Sequence, residues 1–203
     1  MVPVSKYEMS VRLQKRADIA ARKRIDSTRH RCFVSYHVAD TAEVETFLDN
    51  FGSEFLGTCV GITERDDFIN SAEPEYIKRR IRELYLANTT VTIVLLGQCT
   101  WSRQFVDWEI SSTLRDDPKN ARSGLLAIPL PSKNGSAVLP PRVHDNFDPE
   151  NLDKSYARFL RYPNSPWEMR RWIEMAYQNR FDKSKVVNNN RDLFRANRDC
   201  AQG

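Results

Sequence analysis

Apolar positions along this chain follow two rhythms in turn. Short continuous runs, "CFVSY" (Cys32–Tyr36), "TCVGI" (58–62), "TVTIVLL" (90–96) and "GLLAIPL" (124–130), read as buried strands. Between them lie stripes of helical spacing: Val44, Phe47, Leu48 and Phe51; Ile77, Ile81, Leu84 and Tyr85; and the stretch that follows the third run, "GQCTWSRQFVDWEI". A last stripe, Met169, Trp172, Ile173, Ala176 and Tyr177, follows Ser165, Pro166 and Glu168, a capping box with proline at the first helical position. Asp40 and Glu43 predict a second capping box, and Pro74 opens the helix after the second run. Strand and helix in alternation predict an α/β fold, a doubly wound and mainly parallel sheet flanked by helices. In such a sheet ligands bind outside the strand carboxyl ends.

The flanks are less regular. Residues 6–26 carry only a weak stripe (Met9, Leu13, Ala17, Ala20), expected of a peripheral helix. Residues 131–153 read as a long irregular connection, "SYARFLRY" as an edge strand, and the last twenty or so residues as a polar, loosely held tail. The division that follows is a basic extension over 1–28, a folded domain over 29–181 and a tail over 182–203.

With 203 residues, 40% of them apolar or aromatic, the chain can bury one ordinary core. Its longest apolar run is too short to span a bilayer, and its amino terminus lacks the apolar segment of a secretory signal, so a soluble, cytoplasmic protein without membrane partners is expected. The net charge of +4 is unevenly spread: residues 1–31 hold nine Lys and Arg against three Asp and Glu, +6, so the remainder carries −2. The basic segment is read as a solvated helix face rather than a specific nucleic-acid surface. Four cysteines, Cys32, Cys59, Cys99 and Cys200, lack the spacing of a zinc site and are expected as buried reduced thiols.

No GxGxxG, P-loop, GxSxG or HExxH motif occurs, and His30, His37 and His144 have no metal-ligand spacing. The carboxylate that stands out is Glu109, one turn from Phe105 on a helix that starts where the third strand ends. It is expected to border the core without joining it. Burial would raise its pKa and the helix amino terminus would lower it, and sequence leaves that contest open.

The segments "CFVSYHVAD", "TVTIVLLGQCTWSRQFVDWEI" and "LLAIPL", spanning roughly Arg31 to Leu130, resemble the TIR-like family, most closely the TIR-like subunit of bacterial Thoeris anti-phage systems. The resemblance implies a flavodoxin-like fold and cleavage of NAD between nicotinamide and ribose, with Glu109 as the catalytic carboxylate. Tyr36, His37, Arg103 and Phe105 would bind the substrate. NAD would be the substrate, and no cofactor or metal is expected. The implied product is a cyclic ADP-ribose-type signal for a separate effector protein, with a phage-derived trigger and self-association. Many TIR enzymes carry Ser-x-Trp where this chain has Arg103 and Phe105. That departure motivates the alternative of a non-catalytic TIR-type interaction module. A receiver domain would need an acidic pair at the end of the first strand, and "FVSYHVAD" has none.

Overall fold

The computed structural model describes residues 5–22, 29–59, 61–62, 66–116 and 121–200. Helix α1 (Lys6–Arg22) precedes β1 (Arg31–Ser35), α2 (Thr41–Phe51), β2 (Leu56–Thr58), α3 (Pro74–Leu84), β3 (Val91–Leu96) and α4 (Gln104–Leu114). There follow β4 (Gly124–Pro129), a single turn α5 (Pro141–His144), β5 (Arg158–Phe159) and α6 (Pro166–Asp182). The strands pair in the order β2-β1-β3-β4-β5, every pair parallel. This is the flavodoxin-like order, in which the chain path reverses between β1 and β3 and opens a crevice at their carboxyl ends.

β3 and β4 are buried at every position because helices cover both faces. Alternation sends Cys32, Val34, Ile93 and Ile128 toward α1, α2 and α6. Val94, Leu96, Leu125 and Ala127 point the other way, against Val106, Ile110 and Leu114 of α4. Phe33 joins Ile77, Ile81 and Trp108 in a third apolar cluster on that second face. At Gly124 the backbone of α6 lies directly on the sheet, and a Cβ there would collide with the Ala176 carbonyl oxygen.

Several local expectations change. β2 starts at Leu56, two residues before the apolar run, because Arg31 and Cys32 pair with Leu56 and Gly57. Leu84 is exposed, and Arg82 takes the buried place, its guanidinium donating to the Ser112 and Ala121 carbonyls. The Asp40 side chain makes no capping bond. Thr100 Oγ1 donates to it at 3.4 Å, and Glu43 accepts from the Ser132 N–H, so tertiary partners replace the local box. On α6 the cap forms, Ser165 Oγ accepting from the Glu168 N–H, while Glu168 Oε2 accepts from the N–H of Asn164, one residue before the cap. The connection 131–153 contains α5 and two 3-10 turns, Pro131–Lys133 and Leu152–Lys154.

Both flanks are more tightly built than their composition suggests. Leu13 and Ala17 of α1 enter the main core cluster, so the helix is not peripheral in its packing. Gln14 of the same helix donates to the Gly57 carbonyl at 2.9 Å and accepts from the Cys59 N–H at 2.7 Å. A side-chain amide thus does for the edge strand what a neighbouring strand would do. Arg12 and Arg16 pair with Glu45 and Asp49 of α2, which occupies part of the basic face.

The chain after α6 folds back along α4 as a strap. Asp107 Oδ2 accepts from the Phe194 N–H at 2.9 Å, Trp108 Nε1 donates to the Phe194 carbonyl at 2.8 Å, and Asn189 bridges Ser111 and Arg142. Phe194 is buried. The expected loose tail is a docked segment because its polar groups meet the backbone and buried charges of α4 and α5. Cys99 and Cys200 are disulfide-bonded across it, whereas Cys32 and Cys59 are buried free thiols. The expectation of four reduced thiols is therefore corrected for one pair, whose separation of 101 residues leaves no local trace. Among the described residues, no helix is long and apolar enough to cross a membrane.

Candidate active site

β1 ends at Ser35, and Tyr36 and His37 continue its line into the crevice. From the neighbouring connection, the 3-10 turn Thr100–Ser102 leads through Arg103 into α4, placing Phe105 at its second residue and Glu109 one turn on. Helical spacing puts those two side chains together, and the strand order brings both beside β1.

Glu109 is only 3% exposed, so it lies inside the core rather than bordering it. Ser35 Oγ donates to Glu109 Oε2 at 2.6 Å, and the Ile62 N–H donates to Oε1 at 3.3 Å. Gly61 makes room for this arrangement, because a Cβ there would collide with Oε1. Desolvation raises the pKa of Glu109. The positive charge of Lys6, the Ser35 hydroxyl and the Ile62 N–H oppose that rise by favouring the ionised form. Burial wins the contest that sequence left open.

In front of the carboxylate lies a groove of about 310 Å³ whose walls include Lys6, Tyr36, His37, Arg103, Phe105 and Asn197. The four expected binding residues are thus neighbours. Glu109 lines a separate small void behind them, and Lys6 and Tyr36 belong to both spaces, forming the partition. The Tyr36 hydroxyl lies 3.1 Å from Ser10 Oγ of α1, and desolvation raises its pKa. The Lys6 ammonium sits over the Phe105 ring, 4.6 Å from its centroid.

His37 is held down to about 4, by desolvation first and then by the charges of Arg103 and Lys6, so it is neutral at physiological pH. Arg103 is tied to the protein: Nε donates to the Cys99 carbonyl and to Ser102 Oγ, and Nη2 to Ser102 Oγ and the Arg198 carbonyl. Trp108 packs in the third apolar cluster, and neither it nor Trp101 lines the groove. The amino end of α4 is capped from far away, the Gln104 N–H donating to Asn197 Oδ1 at 2.9 Å. A larger cavity, about 700 Å³, has Arg31, Thr89 and Thr90 in its wall and so lies at the amino ends of the strands, opposite Glu109.

Sequence reasoning did not find Ser35, Lys6, Ile62 or Asn197. Ser35 had a usable signal, being the polar residue in an otherwise apolar strand end. Lys6 and Asn197 come from the two flanks and carried none. Among the described residues, no group of three or more His, Cys, Asp or Glu is placed to hold a metal ion.

The model of the Thoeris protein ThsB TIR-like domain family matches residues 33–135, slightly over half of the chain. No curated protein matches it closely enough to count as a relative. The matched segment runs from β1 through β4 and contains Ser35, Tyr36, His37, Arg103, Phe105 and Glu109, on the strand order expected of that fold. The chain therefore belongs to the Thoeris ThsB TIR-like domain family.

Proposed function

We propose that this protein is a cytoplasmic NAD-consuming enzyme of Thoeris-type anti-phage defence. It cleaves the nicotinamide–ribose bond with Glu109 and releases a cyclic ADP-ribose-type signal to a separate effector. The observation that carries the reading is the Glu109 carboxylate. Ser35 and Ile62 donate to its two oxygens, next to a groove with an aromatic wall at the switch point of the sheet.

The chemistry follows from where charge develops. As neutral nicotinamide departs, positive charge grows on the ribose C1 and ring oxygen, and an ionised carboxylate beside the ribose stabilises that state more than the ground state. Ser35 and Ile62 hold Glu109 in position and favour its ionised form. The ring of Phe105 and the neutral imidazole of His37 supply an apolar face and a hydrogen-bonding group for the nucleotide. Attack by water on C1 gives ADP-ribose. Attack by a group of the same molecule gives a cyclic product, which a water-poor site favours. A phage-derived trigger and self-association belong to this reading.

A second reading, a non-catalytic interaction module, draws on Arg103. It stands where many TIR enzymes carry a serine, and its guanidinium is engaged with the chain's own carbonyls and Ser102. Mass spectrometry of nucleotides from cells producing the wild type or Glu109→Gln, with and without phage infection, separates the two. A cyclic species that requires Glu109 and appears on infection supports the enzyme. Identical nucleotide pools in all conditions overturn it in favour of the module.

A further inference from the structure

We propose that the Cys99–Cys200 disulfide is a redox-sensitive latch, which completes the groove when oxidised and opens it when reduced. The latch itself is independent of the enzyme reading, and only its effect on a nucleotide ligand rests on that reading. Three observations lead there.

First, the bond closes the segment that finishes the groove. Asn197 belongs to the groove wall, and its Oδ1 accepts from the Gln104 N–H at 2.9 Å. Arg198 donates its N–H to the Ser102 carbonyl at 2.9 Å, and its own carbonyl accepts from Arg103 Nη2 at 3.1 Å. These two residues thus cap α4 and brace the 3-10 turn that leads into it. Cys200 is joined to Cys99, which opens that same turn.

Second, what holds the segment besides the disulfide is polar and exposed. Arg195, Ala196, Asn197, Arg198 and Asp199 are all exposed, so no apolar burial fixes them between Phe194 and Cys200. The Arg198 guanidinium stacks on the Phe194 ring, a contact within the segment itself. Polar contacts of exposed groups exchange with water at small net cost. A covalent link at the far end removes the open states that such a segment would otherwise visit, and reduction restores them.

Third, the bond is reachable and the remaining cysteines are not. Cys99 and Cys200 are half-buried, whereas Cys32 and Cys59 are buried thiols whose pKa desolvation raises, to about 12 for Cys59. Thiol reagents therefore act on the bond and spare the core. The thiolate of a small dithiol attacks one sulfur, and the other cysteine leaves as a thiolate. The second thiol of the reagent then displaces the mixed disulfide. Two electrons and two protons pass to the protein, the reagent ends as its own disulfide, and a small-molecule disulfide reverses each step. On the cytoplasmic reading, an accessible bond of this kind follows the surrounding thiol balance and is no permanent staple.

The test uses the full chain, wild type and Cys200→Ser, in buffers of oxidised or reduced dithiothreitol. Amide hydrogen exchange is followed by mass spectrometry and ADP-ribose affinity by calorimetry. Reduction of the wild type is expected to speed exchange about tenfold or more at the Gln104 and Arg198 amides. It leaves β1, β3 and β4 unchanged and weakens ADP-ribose about three- to tenfold, and reoxidation restores both. Cys200→Ser behaves as the reduced wild type in either buffer. Free thiols at Cys99 and Cys200 in the oxidising buffer overturn the latch. So does exchange that reduction leaves unchanged, or that rises equally across the sheet, the mark of a general staple. Local opening with unchanged ADP-ribose affinity overturns its hold on the groove and leaves the enzyme reading intact. Local opening in a protein that binds neither ADP-ribose nor NAD in either state supports the latch and overturns the enzyme reading.

Discussion

Ser35, the last residue of the first strand, donates its hydroxyl proton to Glu109 Oε2 across 2.6 Å, joining two elements 74 residues apart in sequence. A hydroxyl in that position favours the carboxylate over the carboxylic acid. Ser35→Ala removes the donor and leaves a buried oxygen short of a partner, so the pKa of Glu109 rises further. Because the proposed chemistry needs the ionised form, the acidic limb of kcat/KM against pH moves to higher pH in Ser35→Ala. The activity at its plateau changes less than the activity at pH 6. A profile superimposable on the wild type argues against any link between this contact and turnover.

Glu109 also sets a pH dependence of stability. Its folded pKa lies above the ordinary carboxylate value, so the native state binds more protons than the unfolded state in the window between the two values. Stability is then lost as pH rises through that window. Glu109→Gln keeps the shape and does not titrate. Its melting temperature relative to the wild type is expected to increase as pH rises from about 4.5 upward, and differential scanning calorimetry of both proteins across pH 5–8 checks it.

Asp107 and Arg142 form a salt bridge of 2.8 Å with both side chains almost wholly buried. Desolvation raises the pKa of Asp107 and the Arg142 charge pulls it back. Removing one partner strands the other charge, so Arg142→Met is expected to cost about 3–5 kcal/mol in urea unfolding. The double variant Asp107→Leu/Arg142→Met is expected to recover much of that loss. A double variant as unstable as the single one shows that the ion pair itself, and not the stranded charge, holds this region.

Gly124 has no space for a methyl group because the Ala176 carbonyl sits against it. Gly124→Ala forces α6 away from β4 and is expected to lower stability by about 1–3 kcal/mol. Thermal unfolding compared with an exposed control such as Asn190→Ala checks the prediction.

The strap gives a local counterpart. Phe194→Ala empties a buried site beside Asp107 and Trp108 of α4, and the loss is expected to stay within the free energy that docks the strap between α6 and the Cys99–Cys200 disulfide, a segment expected to open locally. The expected result is faster proteolysis after α6 with a melting temperature changed by only a few degrees. Trp108, which donates to the Phe194 carbonyl, reports the same release by fluorescence.

The central fold was legible because its physics is local. The runs at Cys32, Thr90 and Gly124 became β1, β3 and β4, and the stripes at Val44 and Met169 became α2 and α6. What was misplaced depended on distant partners. Asp40 and Glu43 have capping spacing, yet Thr100 and the Ser132 N–H claim them. Leu84 fitted the apolar stripe of α3 while Arg82, with two backbone carbonyls to satisfy it, went inside. The expected binding residues Tyr36, His37, Arg103 and Phe105 do share one groove, because strand order alone brings β1 beside the start of α4. The depth of Glu109 was not legible. It depends on Gly61 making way, on the Ile62 N–H and on α1 closing over the site, which no periodicity records.

The bond from the Gln104 N–H to Asn197 Oδ1 has a consequence for biosynthesis. The two residues are 93 positions apart, so at about 5–20 residues per second the ribosome adds Asn197 roughly 5–20 seconds after Gln104. Throughout that interval the residues of β1, β3 and α4 have been made while the groove lacks its last wall, and Arg103 lacks the Arg198 carbonyl that braces it. A protein built this way completes its site only after Asn197 has been added, so translation products that stop before it carry Glu109 without the finished groove in front of it.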